Sequence, residues 1–279
     1  MPTFAQRLLN ASETAQSLLC IGLDIDPKQI PVADPNEFNR AIVSSTADLV
    51  CAYKPNLAFY EALGIPGMHI LEATLAHIRD VAPHCIIIGD CKRGDIDVSA
   101  NAYATAMFDV WGFDAVTVNP WGGMDTVEPW LKYPERGAFV WCRGSNRGAA
   151  DLQDLPISGM GNLTQPAYLR LARRTQQRAT HGNLGVVVGA TAPHQLAAVR
   201  EVCPELPILI PGVGTQGGDL DESVRHGVDR RGRMAVINSA RGIIYASSGP
   251  DYAEAARNRA MELRDGINAT LGEMGLGWR

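Results

Sequence analysis

The stretch CIIIGDCKRGDI, residues 85–96, runs through apolar residues and ends abruptly in charge. An apolar run this continuous reads as a β-strand buried on both faces, the kind found in parallel sheets. Seven more runs share its character: SLLCIGLD 17–24, LVCAYKPN 49–56, DAVTVNP 114–120, GAFVWCR 137–143, LGVVVGA 184–190, LPILIPG 206–212 and MAVINSA 234–240. Between them lie stretches with helical patterning at 35–49, 68–82, 98–112, 165–180 and 194–203. Strands alternating with helices are βαβ units. Eight such units in 279 residues predict an α/β fold of one domain, 1–279, closed as a (β/α)8 TIM barrel. A doubly wound open sheet is the alternative, weakened because no GxGxxG follows the first run. The longest irregular stretch, 143–165, follows the fifth run and is expected to form a lid over the catalytic face.

Composition sets the outer bounds. Apolar residues make up 46% and charged residues 20%, which excludes intrinsic disorder. With 25 Lys+Arg against 30 Asp+Glu the formal charge is −5, which argues against a nucleic-acid or anionic-membrane partner. No apolar run is long enough to span a bilayer. The N-terminus has no apolar core of a secretory signal, so a cytoplasmic location is expected. The six cysteines form no CxxC and no zinc-ligand spacing, and read as buried thiols.

Charge gathers where the strands end. Asp24 closes the first run, Lys54 lies near the end of the second, and Asp90 and Lys92 close the third. Asn119, Arg143 with Ser145, and Arg241 follow later runs. A charge at the end of an apolar strand is costly unless it is paired or serves a site. In a barrel all these ends meet at one mouth. Asp90 and Lys92 alternate onto the same side of their strand. With Lys54 and Asp95 they compose a set of alternating sign, in which every charge can meet its opposite. Across the mouth, the glycine-rich turn at 211–219 and the Ser239–Gly242 turn occupy the usual barrel phosphate site, with Gln216 and Arg241 as donors. His69, His77, Trp111, Trp121, Trp130, Trp141 and the basic stretch 229–233 read as packing or solvated surface.

These elements resemble the orotidine 5′-phosphate decarboxylases of the bacterial type 2 subfamily. The resemblance rests on CIGLD 20–24, YKPN 53–56, DCKRGDI 90–96, VNPWGG 118–123, WCRGSN 141–146, PGVGTQGGD 211–219 and INSARGIIY 237–245. It implies a dimeric barrel without metal or organic cofactor that converts orotidine 5′-phosphate to UMP and CO2. It implies that Asp24 and Lys54 bind ribose hydroxyls, that Asp90 faces the departing carboxylate, and that Lys92 protonates C6 of the pyrimidine. By the same resemblance Asp95 reaches the partner's site. Ile96, Ser99 and Ser145 then contact substrate, and Gln216 and Arg241 hold its phosphate. Ser99 stands where many type 1 relatives carry threonine, which keeps the hydroxyl. Two other readings remain: a magnesium-dependent sugar-phosphate decarboxylase or synthase of the same superfamily, and a catalytically silent nucleotide-binding barrel.

Overall fold

The computed structural model describes residues 1–158, 164–214 and 217–278. Its strands are β1 (Leu19–Leu23), β2 (Ala52–Pro55), β3 (Ile86–Arg93), β4 (Ala115–Val118), β5 (Gly137–Arg143), β6 (Pro156–Ser158), β7 (Thr164–Pro166), β8 (Leu184–Val188), β9 (Ile208–Pro211) and β10 (Ala235–Ser239). All but β6 and β7 pair in parallel and close into one barrel in the order β1-β2-β3-β4-β5-β8-β9-β10, with β10 returning to β1. Each barrel strand falls within a few residues of an apolar run. The predicted helices also form, as Pro35–Thr46, Gly64–Val81, Asp97–Thr105, Ala167–Arg178 and Pro193–Val202.

Inward positions stack in layers. Cys20, Ala52, Ile86, Ile88, Ala115, Phe139, Val187, Leu209 and Val236 fill the barrel's centre as one apolar cluster. Outward positions of the same strands join a second cluster beneath the helices. Burial on both faces is why the strands read as unbroken apolar runs rather than alternating ones. One layer above the central cluster the inward residues turn polar, and that layer is the floor of the mouth.

The opposite end is plugged by helix Phe4–Ala15. Its N-terminus carries a capping box, with Thr3 accepting from the Gln6 amide and the Gln6 side chain accepting from Thr3. Phe4 meets the Phe139 ring edge-on at 5.7 Å, and Gly137 lies so close that a Cβ there would sit 2.5 Å from the Phe4 ring. Arg7, Arg79 and Arg136 converge on the buried Asp114, which also accepts from the Ile87 amide at 2.9 Å.

The segment 143–165 departs from the expectation of an irregular loop. It contains a 3-10 turn (Arg147–Ala149), a short helix (Ala150–Gln153) and the start of an antiparallel hairpin, β6 with β7. Strands of three residues are too short to show an alternating pattern, so sequence periodicity does not reveal them.

Candidate active site

Asp90 is the centre of the mouth. It lies on β3, whose parallel ladder with β4 shifts register between Gly89 and Arg93. The irregularity lets Lys92 adopt a left-handed backbone, φ +43°. Gly94 completes the turn: a Cβ there would lie 2.4 Å from the Asn119 carbonyl oxygen, so the chain exit needs glycine.

Three donors converge on Asp90. Lys54 Nζ reaches Oδ2 at 2.8 Å, Lys92 Nζ reaches Oδ1 at 2.6 Å, and the Thr117 hydroxyl donates to Oδ1 at 2.9 Å. The same hydroxyl accepts from the Lys92 amide at 3.0 Å, so it fixes both the carboxylate and the backbone of the lysine beside it. Burial works against ionising Asp90, but the two ammonium groups override it and hold its carboxyl well below the usual carboxylate range. Burial likewise works against a charged Lys54, which is only 3% exposed, yet the adjoining Asp90 carboxylate drives its affinity for a proton above the ordinary value. The Lys92 side chain is 38% exposed and its ammonium lies 5.9 Å from the centre of the Trp141 ring.

Asp24 follows β1 on the other side of Lys54. Burial raises its carboxyl above the ordinary range, the nearby Lys54 opposing, and its Oδ1 is buried without a hydrogen-bond partner. The Tyr245 hydroxyl donates to the Asp24 carbonyl at 2.8 Å and accepts from the Asp26 amide at 2.7 Å, which fixes the backbone here. A buried acceptor left open beside a cavity is suited to a hydroxyl from outside the chain.

Asp24, Lys54, Asp90, Lys92, Ser145 and Arg241 line one cavity of about 210 Å3. Ser145 is held where β8 ends, with its carbonyl accepting from Thr191 and its backbone packed against Gly189. Arg241 opens a short helix, Arg241–Ile244, opposite the turn after β9, where Gly212 and Gly214 take positive φ. Gln216, expected to share this corner, lies outside the described residues.

Five of the candidate residues do not line this cavity. Asp95 is exposed and joins no contact with Lys54, Asp90 or Lys92; its carboxylate accepts instead from the Ile96 amide at 2.8 Å. The four-membered alternating set is therefore three-membered within one chain, because Gly94 carries the backbone out of the mouth before Asp95. Ile96 and Ser99 are likewise exposed and do not line the cavity. Asn119 accepts from the Trp121 amide at 3.0 Å, shaping the turn after β4. Arg143 pairs with Asp154 within the following segment rather than entering the mouth.

The cavity also contains residues that strand-end charge does not signal: Asn56, Thr117, Trp141 and Asn238. Thr117 and Asn238 occupy inward positions in the last two residues of their strands or just before them. The inward alternation that selects Asp90 would have selected them, had small polar residues been weighed alongside charged ones.

A buried charge cluster held open to a cavity at the C-terminal mouth defines a barrel enzyme. Residues 17–257 match the Orotidine 5'-phosphate decarboxylase / HUMPS family, and the chain belongs to it. It is 44% identical over 266 residues to a Dehalococcoides mccartyi protein named orotidine 5'-phosphate decarboxylase, covering 95% of this chain and 97% of that one. Among solved structures it resembles the Leishmania donovani OMP decarboxylase, with TM-score 0.83 and 34% identity over 96% of this chain and 99% of that one. The Leishmania donovani UMP synthase matches with TM-score 0.86 and 35% identity over 97% of this chain, which spans only 57% of that longer protein.

Proposed function

We propose that the chain decarboxylates orotidine 5′-phosphate to UMP and CO2, the last step in making UMP. The observation that carries this reading is the Lys54–Asp90–Lys92 cluster, in which an ionised carboxylate is fixed between two cations at the cavity floor. Loss of CO2 from C6 leaves a carbanion with no adjacent carbonyl to take up its electrons. A fixed ammonium stabilises that charge as it develops and then supplies the proton. Lys92 fits both tasks: Thr117 and Asp90 position it, and it is the more accessible of the two lysines. Asp90 beside the substrate carboxylate repels it until CO2 departs. Asp24 and Lys54 receive ribose hydroxyls, Ser145 contacts the pyrimidine, and Arg241 with Gln216 holds the phosphate. The segment 143–165, of which 159–163 lie outside the described residues, closes over the bound nucleotide.

The site is shared in an isologous homodimer. Asp95 stands outside its own cavity, and Ile96, Val98 and Trp121 near it are 56%, 82% and 80% exposed. Apolar surface of this kind around a carboxylate suits a partner's mouth. Ile96 and Ser99 then serve the partner's substrate. Among the described residues no helix is long and apolar enough to cross a membrane, and the reading is of a cytoplasmic enzyme.

The magnesium-dependent alternative is disfavoured because the Lys54 ammonium occupies Asp90 Oδ2 where a metal would need room. A spectrophotometric assay of orotidine 5′-phosphate loss, with and without chelator, tests the proposal. Activity unchanged by chelator is expected. Loss of activity with rescue by Mg2+ favours the synthase reading, and no turnover at all leaves a silent barrel.

A further inference from the structure

Away from the mouth, a groove of about 450 Å3 runs between the turn after β4, the β6 strand and helix Ala167–Arg178. Arg170, Arg174 and Arg178 line it. They stand four residues apart, so they form one stripe of about 12 Å along the helix. The helix carries four arginines and no acidic residue. Like charges at this spacing repel each other, and Arg170 lies in the N-terminal half, where the helix dipole disfavours a cation. Several arginines elsewhere are matched by carboxylates, Arg225 by Asp221 and Glu273, Arg257 by Asp48 and Arg143 by Asp154, and the part-buried Arg200 is satisfied by backbone carbonyls. Among the described residues none of the three groove arginines has an ion pair, and Asp125, which also lines the groove, pairs with none of them.

The remaining walls are specific in another way. Met124 and Ile157 offer apolar surface, and Asp125 offers an acceptor carboxylate. We propose that this groove binds a nucleoside di- or triphosphate. Its phosphates lie along the arginine stripe, its sugar hydroxyls donate to Asp125, and its base packs between Met124 and Ile157. A groove of this volume suits a small ligand. The chain's net charge of −5 disfavours a long polyanion wrapping the surface. Ile157 belongs to β6, so an occupant touches β6 and helix Ala167–Arg178 together. Binding here therefore bridges β6 and that helix.

The test is calorimetric titration of the intact protein with ATP, alongside Arg170→Ala/Arg174→Ala and Arg241→Ala. One site per chain is expected in the wild type and in Arg241→Ala, weakened about tenfold or more in the double variant. Inorganic triphosphate should bind at least about tenfold more weakly than ATP, and amide exchange at 157–158 and 164–165 should slow when ATP is bound. Both substituted side chains point away from the core, and an unchanged melting temperature confirms that the double variant is folded. Equal affinity in wild type and double variant, absence of binding, or loss of binding in Arg241→Ala overturns the proposal. Triphosphate binding as tightly as ATP overturns the nucleotide assignment. A change in oligomeric state of the double variant, read by sedimentation, overturns it in favour of a protein contact.

Discussion

Arg143 holds Asp154 through two parallel hydrogen bonds of 2.9 and 3.0 Å, joining the end of β5 to the segment that follows it. The same guanidinium donates to the Gly144 carbonyl at 2.7 Å, while Gln153 accepts from the Gly144 amide at 2.8 Å. The two residues are eleven apart in sequence, and the loop between them carries Ser145. Asp154→Ala should leave the nearly buried Arg143 without its counter-charge. We expect a loss of about 1–3 kcal/mol in stability, less than for a fully buried pair because Asp154 is 29% exposed. We also expect a rise in KM larger than the fall in kcat. Chemical denaturation and steady-state kinetics check this, and an unchanged KM would separate the pair from substrate binding.

Removing Lys92 should act on the chemical step. Lys92→Ala should lower kcat by at least about 10³-fold, since it removes both the stabilising cation and the proton donor. Product binding should fall much less. Single-turnover measurements distinguish the two, and a variant losing affinity but not rate would assign Lys92 to ground-state binding.

Asp24 sets stability against function. Its carboxyl is raised by burial, so between the unfolded value of about 4 and its own higher folded value the native state holds more protons than the unfolded chain. Stability contributed by this group therefore falls as pH rises through that window. Asp24→Asn should remove that fall and be at least as stable as the wild type at neutral pH, while binding nucleotide more weakly. Asp90 behaves oppositely: its carboxyl is depressed, so its contribution is complete above about pH 4 and is lost only in strong acid, as the pH falls through its folded value. Urea unfolding from pH 4 to 8 checks Asp24, and carrying the series into stronger acid checks Asp90. An Asp24→Asn protein with the wild-type pH slope would show that the carboxyl titrates normally.

Arg241→Ala should lower kcat/KM for the nucleotide by about 2–4 kcal/mol while hardly changing turnover of a substrate lacking phosphate. Equal losses on both substrates would mean that Arg241 acts on something other than the phosphate.

Sharing of the site between subunits is tested by mixing. Inactive Asp95→Ala and Lys92→Ala chains, once a tag pull-down shows that they exchange, should regain about a quarter of wild-type activity, because half the dimers are mixed and each has one intact site. No recovery after proven exchange would return Asp95 to its own chain.

The barrel was legible because burial on both faces leaves a plain mark, as in LGVVVGA and CIIIGDCK. Asp24, Lys54, Asp90, Lys92 and Arg241 were legible because charge beside an apolar strand end needs a reason. What escaped had a weaker mark or a longer reach. Thr117 is ordinary in a strand, and only the fold brings its hydroxyl onto Asp90. Arg143 looked like its neighbours at other strand ends, yet nothing local told that Asp154 would draw it aside. The plug helix did carry a signal, the Thr3-to-Gln6 capping box, though its docking on Phe139 is a contact across the whole first half of the chain.

That plug has a consequence for synthesis. Helix Phe4–Ala15 emerges from the ribosome well before the groups that receive it: Asp114, the Pro134 carbonyl, Phe139 and the Gly182 carbonyl. At cellular translation speeds the wait is on the order of ten seconds. Throughout it Phe4 and Leu8, both fully buried at the end, have no home. Until those groups arrive the helix shows its apolar face to solvent, so Phe4→Ser should ease that exposure on the nascent chain while weakening the finished barrel.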